Sequence, residues 1–215
     1  MNRLFKYFSI FGVLLVFAAY FFRLFEVNGF VKAIAALTDP SNYFLAMGKI
    51  YKIDYFFIAL IMVSCLVSFI LMNKEKKMPL FSVSLIPIGM SIIERLFFVI
   101  SSNAVAKATE GSNISIISIV NIVILALGLL SVVNSILVER FLDNKPLPVA
   151  FSLFAVASIT ASSLINIYAA IIGKASVHFI IFSVFFLLAL VLFVIEFILK
   201  YRYKPEVVEE SPIEK

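Results

Sequence analysis

Six stretches of this chain, residues 6–22, 54–72, 79–100, 114–137, 147–172 and 177–199, each carry at most two charged side chains. A helix needs roughly 20 apolar residues to cross the hydrocarbon core of a bilayer. The expected fold is therefore all-α. It is a polytopic transmembrane bundle of about six spans, forming one domain over residues 1–203. Composition agrees: 63% of residues are hydrophobic and 14% charged, against about 45–50% and about 25% in soluble domains. A soluble fold could not hide that surplus, so it must face lipid. The chain has 24 Phe and no Trp. The interfacial belt then falls to tyrosines at span ends: Tyr7, Tyr51, Tyr55, Tyr201 and Tyr203.

Lys and Arg in short loops set orientation. One side collects Arg3, Lys6, Lys74, Lys76, Lys77, Arg140, Lys145, Lys200, Arg202, Lys204 and Lys215. The other holds Arg23, Lys32, Lys49, Lys52, Lys107 and Lys174 over longer loops. The richer side is expected to be cytoplasmic, with both termini there, in the plasma (inner) membrane. Arg3 and Lys6 precede an apolar run, as in a signal peptide. No small-x-small cleavage site follows, so the segment reads as a retained first span. The net charge of +5 follows this loop pattern, which argues against nucleic acid.

The outer connection from Arg23 to Lys52 is long. Asp39-Pro40 resembles a helix start, with an N-cap and a proline at the first helical position. Tyr43, Phe44, Met47, Ile50 and Tyr51 then follow amphipathic spacing. This predicts a separate helix over about 40–51, lying on the membrane surface or closing an outward-facing site as a lid. The tail over 204–215, rich in Glu and Pro, is expected to be a disordered cytoplasmic segment.

Glu94 and Arg95 lie inside the third span. An ionised group there costs a few kcal/mol or more unless paired or hydrated. Adjacent helical residues point about 100° apart, so the two cannot satisfy each other. Candidate partners are Asp54 or Glu26 for Arg95, and Lys52 or Arg23 for Glu94. Both lie about seven residues from the outer span end, roughly 10 Å deep at 1.5 Å per residue. Asn121, Asn166 and Ser183 are expected at similar depth on three other spans. Lipid cannot solvate such groups, so they should turn inward and meet. Either they glue helices together, or they line a pocket for a small polar or ionic ligand. The candidate site is Glu94, Arg95, Asn121 and Asn166, with Pro87 and Gly89 as a kink that is either static and filled by neighbours or a flexible point whose freed backbone groups can coordinate the ligand.

Ala155, Ser158, Ser162, Asn166 and Ala170 form a small-residue stripe, making the fifth span the expected central packing helix. Asn121, Gly128 and Ser135 mark one face of the fourth, which should pair antiparallel with it. The sixth is bulky and apolar, so a peripheral place is expected, with Glu196 and Lys200 as a solvated pair. Segments around Glu94-Arg95 and Glu139-Arg140 echo each other faintly, too weakly to establish a repeat.

A single cysteine, Cys65, excludes an internal disulfide and a thiolate cluster. The lone His178 excludes a multi-histidine metal site and reads as interfacial. Asn113-Ile-Ser115 matches a glycosylation sequon but abuts a span. Phosphate-binding loops, HExxH and a Gly-x-Ser-x-Gly elbow are all missing. No enzyme activity, catalytic residue, metal or cofactor is expected. The reading is a small binding or transport-type membrane protein, alternatively a non-catalytic structural or assembly subunit. Its partners would be the lipid bilayer and a second copy or partner subunit.

Overall fold

The computed structural model describes residues 4–74, 81–141, 146–172 and 176–202. The tail over 204–215 lies outside them. So do Arg3, Lys76, Lys77, Lys145 and Lys174, much of the connection between Glu139 and Pro146, and the side chains of Lys74, Arg140 and Ala170. The described residues form six helices: α1 Leu4–Ala35, α2 Asn42–Lys74, α3 Phe81–Glu110, α4 Ile116–Phe141, α5 Pro146–Ile172 and α6 Val177–Arg202. Each is long and apolar enough to cross a membrane. No strand occurs among the described residues.

Local chemistry sets several helix ends. The Ser115 hydroxyl accepts the Ser118 amide at 3.1 Å, capping α4. Ser176 caps α6 by accepting the Phe179 amide at 3.2 Å. Pro146 opens α5, where its missing N–H costs nothing. Gly111 ends α3 with φ +64°, a left-handed conformation that favours glycine.

Two expectations fail at the first connection. α1 runs thirteen residues beyond Phe22 to Ala35, and residues 42–51 are the opening turns of α2 rather than a separate lid helix. The helix also begins at Asn42, after Asp39-Pro40. The amphipathic stripe has a protein partner: Met47 and Ile50 are buried, and Tyr51 packs on Phe30 of α1 with ring centroids 4.1 Å apart. Protein contact supplies the burial that a membrane surface was expected to supply.

Each helix packs against its neighbours in sequence, and α6 closes the ring by packing extensively on α1. α3 also reaches α1 and α5 across the bundle. It is the most enclosed helix, 61% buried over its most apolar window, against 28% for α4. Centrality therefore belongs to α3 rather than α5, and the outermost place to α4 rather than α6. α6 buries Phe182, Phe186, Phe193 and Phe197 in the core. Bulky residues do not exclude a central face where a partner is small: Gly12 of α1 gives way to the Phe193 ring.

The α4–α5 pair forms as expected. Ser135 and Ser152 hydroxyls meet at 2.9 Å. A Cβ on Gly128 would stand 2.7 Å from Cβ of Ser158. These contacts step in opposite directions along the two helices, which is the antiparallel arrangement.

Candidate functional site

One face of α1 presents Tyr20, Arg23 and Glu26 at three-residue steps, and α2 presents Tyr51 and Asp54 likewise. Arg23 is the hub. Its Nη1 lies 2.8 Å from Glu26 Oε2. Its Nη2 lies 3.2 Å from Asp54 Oδ2 and 3.9 Å from Glu94 Oε1. Tyr20 donates to the other Glu94 oxygen at 3.2 Å. Three helices are thus joined through one guanidinium. The charges hold together because each would be prohibitively costly alone at this depth.

Glu94 and Arg95 diverge as adjacent helical positions must. Glu94 turns to α1 and Arg23, one of its two expected partners; Lys52 stays exposed. Arg95 turns to α6. Its guanidinium lies 4.8 Å from the Phe186 ring centroid and 5.8 Å from that of Phe182. Asp54 and Glu26, the partners expected for Arg95, pair with Arg23 instead. The reason is placement: Arg23 stands on α1 beside both, whereas Arg95 points to the other side of α3. Arg95 makes no ion pair with a carboxylate among the described residues. Its Nε and Nη1 are buried without a hydrogen-bond partner among the described residues.

A cavity of about 350 Å³ opens beside this cluster. Arg23, Glu26, Glu94 and Arg95 form its charged side, with the Tyr51 phenol beside them. Ser163 and Asn166 of α5, Ser183 of α6 and Ser176, which caps α6, add hydroxyls and an amide. Phe98, Val99, Phe179, Phe182 and Phe186 complete an apolar wall. All sit toward the α1–α2, α3–α4 and α5–α6 connections, at the end of the bundle away from both termini.

Glu94, Arg95 and Asn166 are therefore brought together around one cavity. Asn121, Pro87 and Gly89 do not line it. Asn121 is buried on α4, which contributes nothing to the cavity, and its Oδ1 has no partner among the described residues. Pro87 sits within a continuous α3, and its carbonyl accepts the Ser91 hydroxyl at 2.8 Å. A Cβ on Gly89 would meet Val132 of α4 at 3.2 Å. Gly89 thus lets α4 approach α3 closely, and α3 runs unbroken through Pro87.

Sequence reasoning read Arg23 only as a span end or a partner for Glu94, and Tyr51 as a membrane-surface residue. The three-residue spacing of Tyr20, Arg23 and Glu26 was the available signal. It needed the knowledge that α1 continues past Phe22. Phe182 and Phe186 carried no signal beyond apolarity.

A second buried polar group lies near the opposite end. Ser84 donates to Glu196 at 2.5 Å, and Glu196 pairs with Lys200. Both members of that pair stand on α6 and are buried, so the pair is enclosed rather than solvated, and the Ser84 hydroxyl ties it to α3. His178 stacks on Phe25 at the bundle edge. No group of three metal-binding side chains occurs among the described residues.

No protein-family model, curated protein or solved structure matches this chain.

Proposed function

We propose that this chain is a multi-pass membrane protein that binds a small anion with an apolar body, in a transport-type role. One observation carries the reading: Arg95 is a buried cation beside a cavity, has unused donors, and faces aromatic rings instead of a carboxylate. An oxyanion takes a guanidinium along either edge, and each edge here includes one unused nitrogen, Nε or Nη1. Reaching them asks the phenyl rings to yield, and aromatic contact with a cation is weaker than a buried ion pair. Serine hydroxyls and Asn166 would hold further oxygens. The phenyl wall would take the apolar body, as in most small-molecule sites.

By the loop charges, both termini are cytoplasmic in the plasma membrane and the cavity opens outward. Six spans are few for a complete transporter, so a second copy or a partner subunit belongs to the reading. The alternative, a structural subunit whose Glu94 and Arg95 pair with another chain, is disfavoured. Both side chains are enclosed within this chain, 3% and 6% exposed.

The test is thermal unfolding in detergent with benzoate, hexanoate, inorganic phosphate and benzylamine. A ligand at a hundred times its Kd stabilises by about 2.7 kcal/mol. The carboxylates should raise Tm, benzylamine should not, and Arg95→Gln should abolish the rise. Equal stabilisation of the Arg95→Gln variant, or none by any anion, overturns the reading.

A further inference from the structure

Asp54 and Glu94 approach the same nitrogen of Arg23, at 3.2 and 3.9 Å. Two carboxyl groups from α2 and α3 thus converge on one guanidinium nitrogen. Two ionised carboxylates are acceptors only and cannot bond to one another. Asp54 is fully buried, and its Oδ1 has no donor among the described residues. An unsatisfied, fully buried carboxylate oxygen next to a second carboxylate is a costly arrangement.

We infer that Asp54 and Glu94 share one exchangeable proton, forming a proton-binding site behind the cavity wall. A proton between the two oxygens turns a repulsive contact into a hydrogen bond. It leaves one negative charge for Arg23 Nη2, while Glu26 holds Nη1. The other groups facing the pair fit this state. From α1, Arg23 and Glu26 face Asp54, and Tyr20 and Arg23 face Glu94; Tyr51 stands one turn before Asp54 on α2. Arg95, next to Glu94 on α3, turns to Phe182 and Phe186 instead; among the described residues only Arg23 is a cation within ion-pair distance of either carboxyl, and it already serves Glu26. A sodium ion would need five or six oxygens beside that guanidinium, whereas a proton needs two.

Glu94 lines the cavity and Asp54 does not. Glu94 is therefore the entry point: cavity water delivers the proton to Glu94, and Asp54 accepts a share of it. Two like-charged acids in one site behave as a pair that titrates together. The link to anion binding rests on the function proposed above, because an anion on Arg95 adds negative charge beside the pair and favours its protonated form. The proton site itself does not depend on that reading.

The test is infrared spectroscopy of the full chain in lipid nanodiscs at neutral pH, with no ligand added. A protonated carboxyl carbonyl absorbs above the amide band. The wild type should show this absorption, and it should move to lower frequency in D2O. Asp54→Asn and Glu94→Gln should each lose it, and Glu196→Gln should keep it. Should the first two fail to fold, Tyr20→Phe decides: it keeps both carboxyls but removes the hydrogen bond to Glu94, so the band should shift. No band in the wild type, a band that ignores D2O, or one removed by exchanging choline for sodium overturns the proton site. So does a band unmoved in Tyr20→Phe and lost in Glu196→Gln. Because no anion is present, this outcome is separate from the fate of the anion-binding proposal.

Discussion

Tyr20 on α1 donates a hydrogen bond to Glu94 on α3 across 3.2 Å, and both side chains are buried. The bond joins helices that touch only briefly across the bundle. It holds the Glu94 carboxyl toward α1 and away from Arg95. Tyr20→Phe keeps the ring, which packs edge-on against Phe182 and Phe186, and removes only the donor. The expected cost is about 1–2 kcal/mol. Thermal unfolding in detergent measures it, and an unchanged Tm would mean that the bond carries no weight.

Arg23 should be the most sensitive charged position. Arg23→Leu leaves Asp54 and Glu94 buried without their cation. Breaking one side of such a pair costs about 3–5 kcal/mol. Adding Asp54→Asn to the same chain should restore part of the loss, because one stranded carboxyl group is then gone. A double variant no more stable than Arg23→Leu alone would contradict the hub role.

Arg95 should behave oppositely, although it is as buried and lies one residue from Glu94. It has no carboxylate partner among the described residues, so Arg95→Met strands no charge. Methionine can also fill the space against Phe186. Stability is expected to change by less than about 1 kcal/mol or to rise. A loss as large as that of Arg23→Leu would show that Arg95 holds the bundle together.

The α4–α5 contact can be probed with a methyl group. At Gly128 an added Cβ would stand 2.7 Å from Ser158 Cβ, so Gly128→Ala must push two helices apart, costing about 1–3 kcal/mol. Gly29, in the extension of α1, meets nothing within 4 Å. Gly29→Ala should therefore stabilise by about 0.5–1 kcal/mol through helix propensity alone. Unfolding curves of the two variants should move in opposite directions.

Hydrocarbon demands long apolar helices, and that demand is written in consecutive residues. The number of helices and their approximate centres were accordingly legible without coordinates. So was the α4–α5 pairing, because small residues recur along one face of each. The divergence of Glu94 and Arg95 also follows from helix geometry alone. The rotation of each helix about its own axis does not, because it depends on residues distant in the chain. That rotation turns α4, and Asn121 with it, away from the cavity. It brings Phe182 and Phe186 under Arg95 and gives Asp54 and Glu26 to Arg23. Only packing among all six helices decides which buried polar groups share a space, since each must find its partner on another helix.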